Sequence, residues 1–335
     1  MHEQYKKLIL LSCAILLSLL LSECLLRLYF RFVINYDIEM WRYASHVKVP
    51  VLDDRRHVHA PNKKESLMGV DVAINEKGLR DFNYPYEKPP GTFRIVAIGD
   101  SFTFGWGVLF NEIYVKRLEK KLNHDIPHHQ DATRHYEVIN LGVGNYNTEQ
   151  EIAMLELEGL KYHPDLVLLG FYINDAEPAQ HLTHSFFTQH SYLLAFLKQR
   201  LVHLKPYFEP NYHYAQIYHQ LYGGPRWNLY EKQLDHLLSI IRSTHLDFLV
   251  VLLPDLRRID ADEFGDIYKK VQMYFINQDC PVINLRSSLD QTQKSSVYWV
   301  ASDDPHPNAR AHGIFAEEIY KELQNTFKKE SKHIP

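Results

Sequence analysis

The stretch RIVAIGDSFTFGWGV, residues 94–108, opens the regular part of the chain. Its apolar run ends at Gly99-Asp100-Ser101 and gives way to aromatic residues and glycines. Such a run is typical of a strand buried on both faces of a parallel sheet. A strand that ends on an acid and a hydroxyl has two interpretations. Either Asp100 caps a following helix, or Ser101 is a nucleophile.

The remainder of the chain alternates between strand and helix patterns. Apolar runs predict strands at 93–99, 136–142, 165–172, 246–254 and 280–285. Helical spacing predicts helices at 112–123, 148–162, 229–243, 264–278 and 308–327, with Thr148 as the N-cap of the second. Strands that alternate with helices predict parallel crossovers and a three-layer α/β/α sandwich.

Polar residues end three of the predicted strands. They are Asp100-Ser101, the segment 140–147, and Asn174-Asp175. The carboxyl ends of parallel strands meet at one edge of the sheet, where ligands bind. This common edge favours the nucleophile interpretation of Ser101.

A serine nucleophile needs a base, a group that orients the base, and donors for the oxyanion. The base candidate is His306, in SDDPHPNARAHG before the last helix. Asp303 lies three residues upstream and Asp304 two, and a carboxylate three residues before the imidazole could orient the ring across a turn. Oxyanion donors could be the N–H of Ser101, an N–H of the loop LGVGNYN, and the amide of Asn174.

Four short sequence blocks follow one another here: Gly99-Asp100-Ser101, the Gly/Asn loop at 140–147, Asn174-Asp175, and Asp303-x-x-His306. In this order they resemble the motifs of the SGNH/GDSL hydrolases, over roughly residues 93–328. The resemblance implies a flavodoxin-like sandwich with Ser101 as nucleophile, His306 as base and Asp303 as its orienter, and no metal or organic cofactor. It implies an oxyanion hole built from Ser101, the second-block backbone and Asn174, with Asp100 and Asp175 in support. Asn145 occupies the usual second-block glycine position, so either its N–H or that of Gly144 would serve. Tyr172 stands where many members of the family have glycine, two residues before the asparagine, and would narrow the site or reshape it.

The N-terminal run LILLSCAILLSLLLSECLL, residues 8–26, carries one charge, Glu23. It would span about 28 Å, close to the hydrocarbon thickness of a bilayer. Lys6 and Lys7 favour a cytoplasmic N-terminus, although Arg27 and Arg31 on the other flank weaken this. We predict a single-pass signal anchor with the catalytic domain on the non-cytoplasmic side, periplasmic or extracellular. A cleaved signal peptide and a buried core helix are the alternatives.

The predicted organisation has three parts. Residues 1–34 form the anchor, and 35–92 form an extension or linker, in which 61–81 could make a short hairpin. Residues 93–330 form the hydrolase domain, with an aromatic insertion at about 178–226 that contains a helical piece at 191–201.

Composition excludes several other functions. A net charge of −4 without a long basic run argues against nucleic acid as a partner. Three cysteines are too few for a disulfide framework. The histidines, among them His57, His59, His124, His128-His129, His181 and His184, show no metal-ligand spacing. The opening stretch lacks the lysine of a phosphate loop and the dinucleotide glycine order.

The sequence therefore predicts a membrane-anchored serine hydrolase. The expected substrate is a small acyl ester, such as an acetyl ester, on an envelope polysaccharide or glycolipid. Two alternatives remain open: an O-acyltransferase that uses the same residues, and a non-catalytic binding or assembly protein on the same fold.

Overall fold

The computed structural model describes residues 2–124, 134–182, 186–208 and 214–331. His128, His129 and His184, considered above as metal ligands, lie outside the described residues, as do parts of the predicted insertion. Within the described ranges, no group of three or more histidine, cysteine or acidic residues could bind a metal ion.

Helix α1, His2–Phe30, is one continuous helix whose side chains are largely exposed. Among the described residues it is the one helix long and apolar enough to cross a membrane, judged by length and composition. Its 29 residues correspond to about 44 Å. The helix predicted for the N-terminus is therefore present.

The extension folds onto the body of the protein. It contains α2 (Tyr36–Arg42) and two antiparallel hairpins, β1 (Lys48–Pro50) with β2 (His57–His59), and β3 (Lys64–Leu67) with β4 (Val70–Ala73). The hairpin expected within residues 61–81 is the second of these. Tyr43, Val47 and Leu67 form a buried cluster with Phe104 and Trp106 of the sandwich. The extension is thus part of the folded core rather than a free linker.

Five parallel strands form the central sheet in the order β6-β5-β7-β8-β9. This is the 2-1-3-4-5 order of flavodoxin-like folds. The strands are β5 (Thr92–Gly99), β6 (His135–Asn140), β7 (Leu166–Phe171), β8 (Asp247–Leu252) and β9 (Val282–Asn284). Every residue of β7, and all of β5 after its first, is buried. The apolar runs therefore mark strands covered on both faces, as predicted.

Helices cover both faces of the sheet and complete the predicted three-layer sandwich. The crossover direction reverses after β6, so right-handed connections place α4 and α5 on opposite faces. Helix α4 packs against α11, and α5 packs against α9. The helices from the first strand onward are α3 (Ser101–Phe104), α4 (Tyr114–His124), α5 (Thr148–Leu157), α6 (Phe186–His190), α7 (Tyr192–Phe208), α8 (Tyr214–Leu221), α9 (Gly224–Ser243), α10 (Gly265–Asn277) and α11 (Ala309–Ser331).

Two sequence predictions about helices need comment. The helix expected at 191–201 is present as part of α7. The N-cap of α5 is Asn147 rather than Thr148, because the Asn147 side chain accepts the Gln150 N–H at 3.0 Å. The Thr148 hydroxyl instead contacts the Tyr230 hydroxyl at 3.1 Å.

Arg94 joins the sheet to the segment that precedes it. Its guanidinium is fully buried and donates to Glu137 at 2.5 Å. It also donates to the carbonyl oxygens of Pro85, Tyr86 and Tyr162 at 2.7–2.8 Å. One side chain thus fixes β5, β6 and the residues before β5 together.

We expect Arg94→Met to lower the free energy of unfolding by about 3–5 kcal/mol, because Glu137 would be left as a buried, unpaired charge. Urea unfolding of the full chain in detergent, followed by circular dichroism, measures this. The double variant Arg94→Met/Glu137→Met should recover part of the loss, since neither charge remains. An unchanged urea midpoint for the single variant would contradict the argument.

Candidate active site

Ser101 lies at the sharp turn between β5 and α3. Asp100 is the N-cap of α3 and accepts the Phe102 N–H at 2.9 Å. Gly99 is required at the turn, since a Cβ there would lie 2.1 Å from Thr103 Oγ1. Asp100 therefore caps a helix, as the first interpretation of the opening stretch expects, and the cap places Ser101 at the carboxyl edge of the sheet.

His306 faces Ser101 from a short strand, β11 (Asp304–Pro307). The Ser101 Oγ lies 2.9 Å from His306 Nε2. His306 Nδ1 lies 2.5 Å from Asp304 Oδ1, and the other Asp304 oxygen accepts the Trp106 indole N–H at 2.7 Å. Serine, imidazole and carboxylate thus form a continuous hydrogen-bonded chain, the arrangement needed to activate a serine nucleophile.

Asp304 is fully buried, whereas the imidazole is 12% exposed. Burial by itself raises the pKa of Asp304, but the charge of His306 and the hydrogen bonds from His306 and Trp106 leave it below its ordinary value. The carboxylate therefore remains ionised beside the imidazole at neutral pH.

The expectation that Asp303 orients the imidazole is wrong. Asp303 is exposed, and its carboxylate accepts hydrogen bonds from Asn35 at 3.4 Å and from the Tyr36 N–H at 3.2 Å. The reason is local geometry, because Asp304 and His306 both lie on β11 (Asp304–Pro307), which pairs with β10 (Trp299–Ala301). Side chains two residues apart on a strand share a face, whereas Asp303 lies in the turn before β11 and is not part of the strand.

The two candidate oxyanion donors of the second-block loop, the N–H groups of Gly144 and Asn145, differ in whether they already donate a hydrogen bond. The Gly144 N–H donates to the Tyr43 hydroxyl at 2.9 Å and is occupied. Asn145 is exposed, adopts the left-handed conformation at φ 64°, and its N–H donates no hydrogen bond within the described part of the chain. The geometry therefore favours the Asn145 N–H, a position that asparagine tolerates better than most residues.

Asn174 lies between this loop and Asp100. Its amide reaches the Tyr146 carbonyl at 3.5 Å, and its Oδ1 is buried without a partner among the described residues. Burial raises the pKa of Asp100, against the lowering effect of the Phe102 N–H, His306 and the Asn174 amide. The structure thus brings together Ser101, His306, Asn145, Asn174 and Asp100 at one edge of the sheet.

Asp175 and Glu151 lie beneath this edge. Asp175 is fully buried and accepts the Tyr172 N–H at 3.2 Å, which stabilises the turn that carries Asn174. Neither Glu151 carboxyl oxygen has a hydrogen-bond partner within the described ranges. Burial raises the pKa of both groups well above ordinary values, and the nearby Asp100 charge adds to the effect. Both carboxyls therefore hold their protons to higher pH than ordinary carboxyls do.

Aromatic rings surround the imidazole. Tyr36, Phe102 and Trp106 have ring centroids 5.8, 5.5 and 6.1 Å from that of His306. Tyr172 stacks on Phe102 at 4.3 Å, and Arg257 donates to its hydroxyl at 3.1 Å. The residue expected to narrow the site is therefore part of its wall.

Sequence reasoning missed two residues of the extension, Tyr43 and Lys48, that contact the second-block loop. Tyr43 accepts the Gly144 N–H, and the Lys48 ammonium donates to the Gly144 carbonyl and, at 3.0 Å, to the Asn145 side chain. Both are buried, and burial lowers the pKa of Lys48 to about 7. No motif could have revealed them, since almost a hundred residues separate Lys48 from the loop.

Comparison with models of protein families identifies the family of this chain. A model of the GDSL-like lipase/acylhydrolase family matches residues 97–314, well over half of the chain. The chain therefore belongs to this family, which confirms the resemblance inferred from the motifs, and it is an ester hydrolase of the GDSL type. No curated protein sequence matches it significantly.

Three solved structures similar to this chain illustrate the family. The lipase/acylhydrolase from Enterococcus faecalis is 17% identical, with a TM-score of 0.42, over 70% of this chain and 96% of its own. A two-domain esterase active on acetylated mannans is 15% identical, with a TM-score of 0.44, over 70% of this chain and 50% of its own. An acetyl xylan esterase is 15% identical, with a TM-score of 0.42, over 69% of this chain and all of its own.

The two neighbouring aspartates provide a matched test of the site. We expect Asp304→Asn to lower kcat/KM for a short nitrophenyl ester by about 10²–10⁴-fold, because the imidazole loses the carboxylate that orients it. Asp303→Asn should change it by less than about threefold, since this side chain does not contact the imidazole. Equal losses in the two variants, or a larger loss at Asp303, would refute the assignment of Asp304.

Proposed function

We propose that Ser101 attacks an ester carbonyl while His306 accepts the serine proton and Asp304 orients and stabilises the imidazolium. His306 then gives this proton to the departing alcohol, leaving an acyl group on Ser101. A water molecule, deprotonated by the same imidazole, releases the acid and restores the serine. The observation that carries this proposal is the continuous hydrogen-bonded chain from the Ser101 hydroxyl to the buried Asp304.

The negative charge on the attacked carbonyl oxygen requires donors in fixed positions. We assign these to the N–H groups of Ser101 and Asn145 and to the amide of Asn174. Each such donor is commonly worth about 3 kcal/mol of transition-state stabilisation. Asp100 and Asp175 support the site, Asp100 by capping α3 and Asp175 by fixing the turn before Asn174.

The substrate we favour is a short acyl ester, such as acetyl, on a carbohydrate or glycolipid. The stacked Phe102 and Tyr172 rings fill space beside the nucleophile, which disfavours a long acyl chain. The partly exposed Tyr36 ring, which lies beside His306, also suits the apolar face of a sugar ring. An envelope polysaccharide or glycolipid would match a membrane-anchored enzyme.

In this proposal, helix α1 is the membrane anchor. Its length and apolar surface suit a membrane span, and Lys6 and Lys7 before the apolar run favour a cytoplasmic N-terminus. The catalytic domain would then lie on the non-cytoplasmic side, periplasmic or extracellular.

Acyl transfer to a sugar hydroxyl is the second candidate. Ser101 is only 6% exposed, and Tyr36 lies against the catalytic imidazole, so access of water to an acyl-enzyme is restricted. Product analysis with and without a sugar acceptor separates the two reactions, because a transferase would form the acylated sugar in place of free acid.

Fluorophosphonate labelling of the full chain tests the proposed nucleophile. We expect a single adduct on Ser101, located by intact mass and peptide mapping, and its loss in Ser101→Ala and His306→Ala. The histidine variant retains the serine, so its failure to react would show that the imidazole activates the hydroxyl.

The same preparation tests the acyl preference. Acetyl nitrophenyl ester should be cleaved with a kcat/KM at least tenfold above that of the decanoyl ester. A folded chain that takes up no adduct and cleaves neither ester would contradict the hydrolase mechanism and favour a binding protein on this fold.

A further inference from the structure

Glu23, the one charge in the apolar run of α1, binds the start of α7. Its carboxylate accepts the Tyr192 and Leu193 N–H groups at 3.0 and 2.8 Å and the Ser191 hydroxyl at 2.9 Å. Arg27 donates to the same carboxylate at 2.7 Å. A carboxylate at a helix N-terminus satisfies unpaired N–H groups and the helix dipole. The acidic residue thus joins the anchor helix to the insertion.

Aromatic contacts extend this junction along the last turns of α1. Phe30 lies 6.3 Å from Tyr192 and 6.2 Å from Phe196, measured between ring centroids. The Arg27 guanidinium lies 5.1 Å from the Tyr192 ring centroid. Helix α7 therefore begins beside the part of α1 that would leave the hydrocarbon.

The outward face of α7 is apolar. Tyr192, Ala195 and Phe196 form its packed face, and Ala195 is 5% exposed. On the opposite face, four leucines recur at spacings of three and four residues, which places them in one stripe. Leu194, Leu197, Leu201 and Leu204 are 43, 48, 67 and 44% exposed.

Basic residues flank this leucine stripe. At 100° per residue, Lys198 and Arg200 project on either side of Leu197 and Leu201, and both are exposed. A leucine face bordered by lysine and arginine is typical of helices that lie in the interface of a bilayer with anionic headgroups.

We propose that α7 lies in the headgroup region of the bilayer that α1 crosses, with the leucine stripe facing the acyl chains. The occupant of this face is the lipid surface, because Glu23 and Phe30 fix α7 beside the emerging end of α1. The proposal rests on the proposed membrane anchorage but not on the hydrolase chemistry. It also places the active site near the lipid, since Tyr36 follows Phe30 by six residues, a reach of about 20 Å at most.

Site-directed spin labelling of the full chain in nanodiscs with anionic lipid tests this proposal. Cys13, Cys24 and Cys280 are first replaced by serine. Single labels then replace Leu201 (Leu201→Cys), Leu17 on α1, and Leu229 on α9, which is exposed to a similar degree at 63%. We expect the labels at positions 17 and 201 to relax with oxygen and resist a water-soluble nickel reagent. The label at 229 should behave in the opposite way.

Each other outcome overturns the proposal. Nickel accessibility at 201 equal to that at 229 would place α7 in water. Protection from both reagents with spin–spin broadening would indicate a second copy of the chain on the leucine stripe. Accessibility of the label at position 17 to the nickel reagent would show that α1 does not lie in the bilayer, and would contradict the proposed anchorage. Fluorophosphonate labelling of Ser101 in the same samples reports the chemistry separately, so the two failures are distinguishable.

A second, independent observation concerns Lys48. Its ammonium binds the Gly144 carbonyl, and no carboxylate within the described residues forms an ion pair with it. That carbonyl belongs to the same peptide group as the Asn145 N–H, and the two bonds of a trans peptide point in opposite directions. A cation on the oxygen strengthens the N–H as a donor, because linked hydrogen bonds polarise one another.

We infer that Lys48 is a positioning residue that orients and polarises the Gly144–Asn145 peptide for the oxyanion. The inference rests on the proposed hydrolase mechanism. The groups that face Lys48 are the Tyr43 ring at 4.6 Å, His57 and His59 on β2, and the side chain of Asn145. Both histidines are neutral, because burial lowers their pKa to about 2 and about 3. Lys48 is thus the local charge that titrates.

Lys48→Met and Lys48→Arg separate charge from packing. With acetyl nitrophenyl ester, we expect Lys48→Met to lower kcat at least tenfold with KM changed less than twofold. Lys48→Arg should retain most of kcat and extend activity to higher pH, since its cation does not lose the proton. Equal kcat in all three proteins, or equal losses in both variants with lower Tm, would overturn the inference. Loss of ester cleavage and fluorophosphonate labelling in the parent chain would instead refute the mechanism.

Discussion

The central position of β5 is the constraint on which the site depends. This strand pairs with β6 on one side and β7 on the other, so its apolar residues are buried on both faces. The carboxyl ends of all three strands then lie together, and they carry Ser101, the second-block loop and Asn174. Polar groups at this edge come within hydrogen-bonding distance because the carboxyl ends of neighbouring parallel strands lie side by side.

His306 is brought to Ser101 by a different structural rule. Asp304 and His306 lie on a short strand, where a spacing of two places both side chains on one face. Trp106, two residues past the α3 helix, binds the far oxygen of Asp304 and so connects the base back to the nucleophile turn. The contacts of Ser101 with His306 and of Trp106 with Asp304 therefore close a loop between two segments about two hundred residues apart.

The extension supplies much of what surrounds this loop. Tyr36 lies against the imidazole of His306. Tyr43 accepts the N–H of Gly144 in the second-block loop, and Lys48 donates to the Gly144 carbonyl. These residues lie within the first eighteen after α1, so the segment that follows this helix completes the surroundings of the site. The site and α1 are thus close to each other along the chain, and Glu23 also joins α1 to α7.

The sequence by itself determined the alternating sandwich and the turn that carries Ser101, because burial on both faces and strand-end polarity are local patterns. It also singled out His306 as the candidate base. It did not determine the orienting acid, since spacing alone did not reveal that residues 304–307 form a strand. Only the tertiary structure decided that Asp304 binds the imidazole, that Gly144 is occupied, and that Lys48 and Tyr43 support Asn145. Those contacts join segments distant in sequence, and their partners are selected by packing rather than by any periodic signal.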